Sequence, residues 1–220
     1  MARLRTLRRV YGLIDQPLQR LLSRDIDDAI EETLIAAAAS WKTDGLQRFN
    51  DEEANCTIQL YRWGDEAIRK TSTLHALSLQ LEWVQPTPEM LAGKEDAGNS
   101  SRPDLRFSIG SVGRTVECKR LTARSPWLRR YVYEGMDRFV SGVYAPSEDR
   151  GNMVGYMQAD EPTTIVDGIN TQVAAHPAMG SSHKLVPSSA RPPIQDVFRS
   201  THIRKSSPSI LLTHYLVDLR

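Results

Sequence analysis

Cysteine is almost missing from this chain: its 220 residues hold two, Cys56 and Cys118, far apart and without a Cys-x-x-Cys or His-x-x-x-His partner. A structural zinc site and a disulfide framework are therefore not expected, and a reducing cytosol is. No apolar stretch approaches the ~18 residues of a membrane span, and the N-terminus carries arginines without an apolar signal core. Membrane insertion and secretion are not expected, and a cytoplasmic location is. The five histidines, His75, His176, His183, His202 and His214, lack metal-ligand spacing, and no Gly-x-Ser-x-Gly or glycine-rich phosphate loop accompanies them. That argues against a serine hydrolase and a P-loop enzyme. Internal repeats and heptad runs are absent as well, and the length suits one α/β domain spanning 1–220.

A large net charge is also lacking, since the formal total is +1. The charge is unevenly spread, however. Residues 1–24 carry six basic groups and one acidic, 25–100 six and fifteen, 101–138 nine and four, and the remainder seven of each. The basic segment 1–23 and the 101–138 region are the positive parts, and the second contains Arg102, Arg106, Arg114, Arg120, Arg124, Arg129 and Arg130. Such a cluster suits an anionic, phosphate-bearing partner.

Within that region Pro103-Asp104 is followed, after a gap of 12 residues, by Glu117-Cys118-Lys119. The intervening LRFSIG-SVG-RTV reads as two strands around a tight reversal. With Ser111 and Val112 as loop residues, Gly110 would face Gly113, Arg106 would face Glu117 and Asp104 would face Lys119. Alternation puts Asp104, Arg106, Glu117 and Lys119 on one face, expected to be solvated, and Leu105, Phe107, Ile109, Val116 and Cys118 on the other. Two carboxylates plus the Cys118 backbone carbonyl make an oxygen donor set suited to a hard cation such as Mg2+, with Mn2+ as a substitute. Lys119 beside them is placed to orient a water or steady a phosphoryl group.

These residues, with the order of elements from about 24 to 160, resemble the PD-(D/E)xK, or restriction-endonuclease-like, nuclease superfamily. The resemblance implies a mixed central sheet with flanking helices, built as an αβββαβ core plus C-terminal strands in a sheet extension over 194–220. It implies Asp104 and Glu117 as metal ligands, Lys119 as the water-positioning residue, and hydrolysis of DNA, more readily than RNA, to 5′-phosphate and 3′-hydroxyl ends. A role in anti-phage defence, restriction or repair, as a homo-oligomer or beside a partner protein, would suit such an enzyme. The competing expectation is a nuclease-fold subunit that binds nucleic acid, or acts as a scaffold, without cutting it.

The surrounding pattern predicts a helix over 24–43 capped by Ser23 and stopped by Gly45, strands at 56–62 and 74–83, a short helix after Pro86 and Pro88, and a polar loop at 93–101. A crossover helix follows Pro126, with Leu128, Val132, Met136, Phe139 and Val143 at helical spacing. A strand at 152–158 should run parallel to the Glu117 strand, followed by a helix at 163–174, a long loop at 175–193, and strands at 194–199 and 210–219. By the family resemblance an acidic residue of the first helix approaches the metal, with Glu31 and Glu32 as candidates. Glu134 and Tyr131 of the crossover helix and Glu82 are further supporting candidates. Arg199, Arg204 and Lys205, around His202, are candidates for phosphate contact or for a polar turn.

Overall fold

The computed structural model describes residues 16–81, 102–188, 197–205 and 207–220, with side chains of the first helix from Ile26 onward. Glu82, the short helix expected after Pro86 and the loop at 93–101 lie outside the described residues.

Helix α1 (Gln16–Thr43) buries Ile26, Ile30, Leu34, Ala37 and Trp41, a stripe at helical spacing. It ends as expected at Gly45, whose φ is +72°. Leu46 N–H donates to Trp41 C=O at 2.9 Å and Gly45 N–H to Lys42 C=O at 3.1 Å, which satisfies the terminal carbonyls in a Schellman arrangement.

The next element corrects the sequence reading. Residues 56–62 are not a strand; they lie within helix α2 (Glu53–Lys70). The alternation of CTIQL is too short to decide between periods, whereas Cys56, Leu60, Gly64, Ala67 and Ile68 keep helical spacing over the whole segment and are all buried. Asp65–Arg69 and Glu66–Lys70 ion pairs on its exposed face follow the i,i+4 rule. The strand expected at 74–83 is shorter: a 3-10 turn (Ser72–Leu74) precedes β1 (Ser78–Leu81).

The protein is α/β, with a seven-stranded mixed sheet in the order β1-β2-β3-β4-β7-β6-β5. Its other strands are β2 (Leu105–Ile109), β3 (Val112–Leu121), β4 (Arg150–Met157), β5 (Val186–Pro187), β6 (Val197–His202) and β7 (Ile210–Asp218). β3, β4 and β7 are mutually parallel and the remaining pairs antiparallel. The crossover from β3 to the parallel β4 runs through α3 (Ser125–Arg130), a π-helical segment (Tyr131–Met136) and α4 (Asp137–Val140). Helix α5 (Pro162–Ala175) follows β4. The expected long loop carries a 3-10 turn (Ser181–His183) and β5, and β6 runs past the expected residue 199 to His202, while 194–196 lie outside the described residues.

Two apolar layers sandwich the sheet. Helices α1 and α2 cover Leu105, Phe107, Val116, Cys118, Val154 and Tyr156. The crossover helices and α5 cover Leu121, Met153, Met157, Leu212 and Leu216 on the opposite face.

The β2–β3 hairpin forms, but in a different register. Ile109 pairs with Val112 and Arg106 with Thr115, so the loop is Gly110-Ser111 and not Ser111-Val112. Gly110 has φ +58° and Ser111 does not share it, the pattern of a Gly-first two-residue turn. Gly113 sits within β3, where the Arg106 guanidinium occupies the space a Cβ would need. Because the slip is two residues, every side chain keeps its face.

Candidate active site at an open strand edge

β2 pairs with β3 only as far as Leu105↔Val116, while β3 continues to Leu121 against β4 alone. Along the freed edge the N–H groups of Cys118 and Arg120 need acceptors. Carboxylates provide them: Asp104 Oδ2 accepts from Cys118 N–H at 2.7 Å, and Glu53 Oε2 accepts from Arg120 N–H at 3.1 Å. Asp104 is there because it is the residue just before β2, and Glu53 because it opens α2.

Lys119 lies in the middle of this group. Its Nζ is 2.7 Å from Glu117 Oε1, 3.0 Å from Glu53 Oε1 and 2.9 Å from the Cys118 carbonyl oxygen. Arg138 of α4 reaches in from the crossover layer, with Nη1 3.0 Å from Glu117 Oε1 and 2.6 Å from the Tyr144 hydroxyl. That hydroxyl donates to the Arg102 carbonyl at 2.9 Å, tying the crossover layer to the chain just before Asp104.

The charged face is not solvated, contrary to the sequence expectation. Glu117 is 1 % and Lys119 8 % exposed, because the crossover helices close over them. Gly135, in the π-helical segment, makes the fit possible: a Cβ there would stand 3.5 Å from Lys119 Cγ and 2.7 Å from Met153 Cε.

Burial sets the electrostatics. Desolvation, then the Asp104 charge, pushes the Glu117 carboxyl up from 4.5 to about 7 against the pull of Lys119 and Arg138. Asp104 is also raised, first by burial, with Lys119 and the Cys118 N–H opposing. Burial disfavours the Lys119 ammonium, but Glu117, Glu53 and Asp104 outweigh that and hold it above its ordinary value.

Asp104, Glu117, Lys119 and the Cys118 carbonyl are therefore brought together, while the Cys118 thiol points into the core and is free. The supporting candidates among the described residues are not. Glu31 sits half-buried on α1, where its charge adds to the burial that raises the Tyr215 phenol, and Glu32 is exposed. Glu134 is exposed beside Arg130 at 3.8 Å. Tyr131 is fully buried, with its hydroxyl 2.9 Å from His214 Nδ1.

Among the arginines, Arg102, Arg124, Arg129 and Arg130 are exposed and Arg120 half-buried. Arg106 and Arg114 are structural. Arg106 bonds Glu148 and Thr115 at 3.2 Å, and buried Arg114 bonds Asp27 of α1 at 2.8 Å. Arg204, between β6 and β7, binds the Ala145 and Pro208 carbonyls, whereas Arg199 and the fully buried His202 lie within β6 and not in a turn. Glu53, Arg138 and Tyr144 were missed by sequence reasoning. For Glu53 the available signal was Glu52-Glu53 ahead of the helical spacing from Cys56, an acidic helix start.

The fold and site define an α/β protein with a buried carboxylate–lysine cluster at a sheet edge. No protein-family model, no curated protein and no solved structure matches the chain. No helix among the described residues is long and apolar enough to cross a membrane.

Proposed function

We propose that the protein is a metal-dependent nuclease of restriction-endonuclease-like fold, hydrolysing phosphodiester bonds in DNA. The observation that carries this reading is the convergence of Asp104, Glu117, Glu53 and the Cys118 carbonyl around Lys119 on one unpaired stretch of β3. The element order supports it: helices, three strands, a crossover helix and a parallel strand.

The residues fit a hard cation. Among the described residues no three His, Cys, Asp or Glu side chains are spaced to hold a metal, so the donor set is two carboxylates, Asp104 and Glu117, completed by the Cys118 carbonyl and water. Glu117 Oε2 is buried and has no hydrogen-bond partner, which leaves an acceptor in want of a positive charge or a proton. The chemistry a bound Mg2+, or Mn2+ in its place, supplies is water activation and neutralisation of charge at a phosphodiester. Lys119, held between Glu53 and Glu117, positions the attacking water or a phosphoryl oxygen. Arg138 is close enough to steady the phosphate.

A second reading, a nucleic-acid-binding or scaffold subunit without cleavage, draws on the Lys119 ammonium, which already fills the space between Glu53 and Glu117. Incubation with plasmid, linear and single-stranded DNA and with RNA, in Mg2+, Mn2+ or EDTA, separates the two. Cutting that needs metal and is lost in Asp104→Ala and Glu117→Ala supports the nuclease. Full activity in Glu117→Ala refutes the mechanism, and binding without any cutting favours the scaffold.

A further inference from the structure

The crossover layer carries an unusual surface next to the site. Arg120 follows Lys119 directly, and its guanidinium lies 4.1 Å from the Trp127 ring centre, with Arg130 5.2 Å from the same ring. Further along, Arg129 lies 4.0 Å over Tyr133, a ring that also meets the His176 ring at 4.3 Å and donates its hydroxyl to the Ala175 carbonyl at 3.5 Å. Of the three contacts, Arg120 on Trp127 is the one that joins the helix to β3, the other two being helical neighbours at i,i+3 and i,i+4. Trp127 and Tyr133 are half-buried, while Arg124, Arg129 and Arg130 are exposed. The nearest carboxylate on this helix, Glu134, reaches Arg130 at only 3.8 Å.

We propose that Trp127, with Arg120 and Arg130, forms a stacking site for unpaired nucleotides, so that the substrate class of the adjoining site is a single strand or a frayed end and not a continuous duplex. The inference rests on the phosphodiester reading above. Guanidinium planes resting on aromatic rings are weakly hydrated and exchange readily between stacking on a ring and stacking on a base, while still neutralising phosphate. Bases inside a duplex have both faces covered by neighbours, so only unpaired bases can use such a platform. The platform leads towards the chemistry because the Arg120 backbone is itself held by Glu53.

The test uses the full chain in EDTA, titrated with an oligo(dT) strand, an oligo(rU) strand and a blunt duplex of equal length. Single strands should bind more tightly than duplex and quench tryptophan emission. Trp127→Leu should weaken single-strand affinity by about 5- to 150-fold, the loss of one stacked base, and leave duplex affinity and the salt slope nearly unchanged. Trp127→Phe keeps a ring in place and should retain most affinity while losing the emission change, which guards against misfolding of the leucine variant. A preference for dT over rU assigns the strand as DNA, and the reverse as RNA. Equal affinity for duplex and single strand, undiminished binding by Trp127→Leu, quenching that persists in Trp127→Phe, or no binding at all would each overturn the proposal. Metal is chelated throughout, so these outcomes are independent of whether the protein cuts.

Discussion

Replacing Glu117 by Gln exposes the largest electrostatic cost in the site. Glu117 is 1 % exposed, and burial together with Asp104 moves its carboxyl from 4.5 to about 7. A carboxyl whose folded pKa exceeds its unfolded value binds more proton in the native state. Its contribution is therefore most favourable below about 4.5, and stability is lost as pH rises towards about 7. At about 1.4 kcal/mol per pH unit the loss reaches at most about 3 kcal/mol, roughly 6–12 °C of melting temperature for a chain of this size. His202 and His214, both pulled from 6.5 to about 3 by burial, act in the opposite sense and withdraw stability as pH falls below 6.5. The raw melting curve mixes these slopes, so the quantity to follow is the difference between parent and Glu117→Gln melts in EDTA across the acid-to-neutral range. The glutamine can keep an oxygen towards Lys119 and Arg138, with its amide in the place of the unpartnered Oε2, so its packing cost is a pH-independent offset. The parent should lose ground to the variant as pH rises between about 4.5 and 7, and Mg2+ should then raise the parent melt more than that of the variant. A difference curve that stays flat refutes the reasoning.

Glu53→Ala removes the acceptor of the Arg120 N–H and a partner of Lys119; urea melts should show a loss of about 1–3 kcal/mol, and cutting of single-stranded DNA should disappear, whereas Glu31→Ala leaves cutting intact. Arg114→Met breaks the link between β3 and Asp27 of α1 and should cost about 3 kcal/mol in the same melts. Because that guanidinium is buried in the fold, the salt dependence of nucleic-acid binding should not change, as it would for a phosphate contact.

Much of the hairpin was legible because its information is local. Leu105, Phe107, Val116 and Cys118 alternate with Asp104, Arg106, Glu117 and Lys119, and a period of two assigns faces whichever even slip the turn adopts. The stop of α1 at Gly45 and the parallel return to β4 after the crossover helix were legible for the same kind of reason: a residue that tolerates positive φ, and a connection long enough to require a helix. Segment 56–62 was misread because a few residues fit two periods, and only its burial across α2 separates them.

The composition of the site was decided by tertiary structure. Glu53 stands 64 positions before Glu117 in the chain, and it reaches Lys119 only because α2 begins where β2 leaves the edge of β3 unpaired. The charged face became a buried one because the crossover helices close over it, with Gly135 leaving room for Lys119, and no local pattern specifies what covers a face. Likewise, the sequence placed seven arginines near the site, but a guanidinium satisfied by Glu148 or Asp27 and one left at the surface are indistinguishable in a string of residues. Their partners come from distant segments, and the fold alone sets those distances.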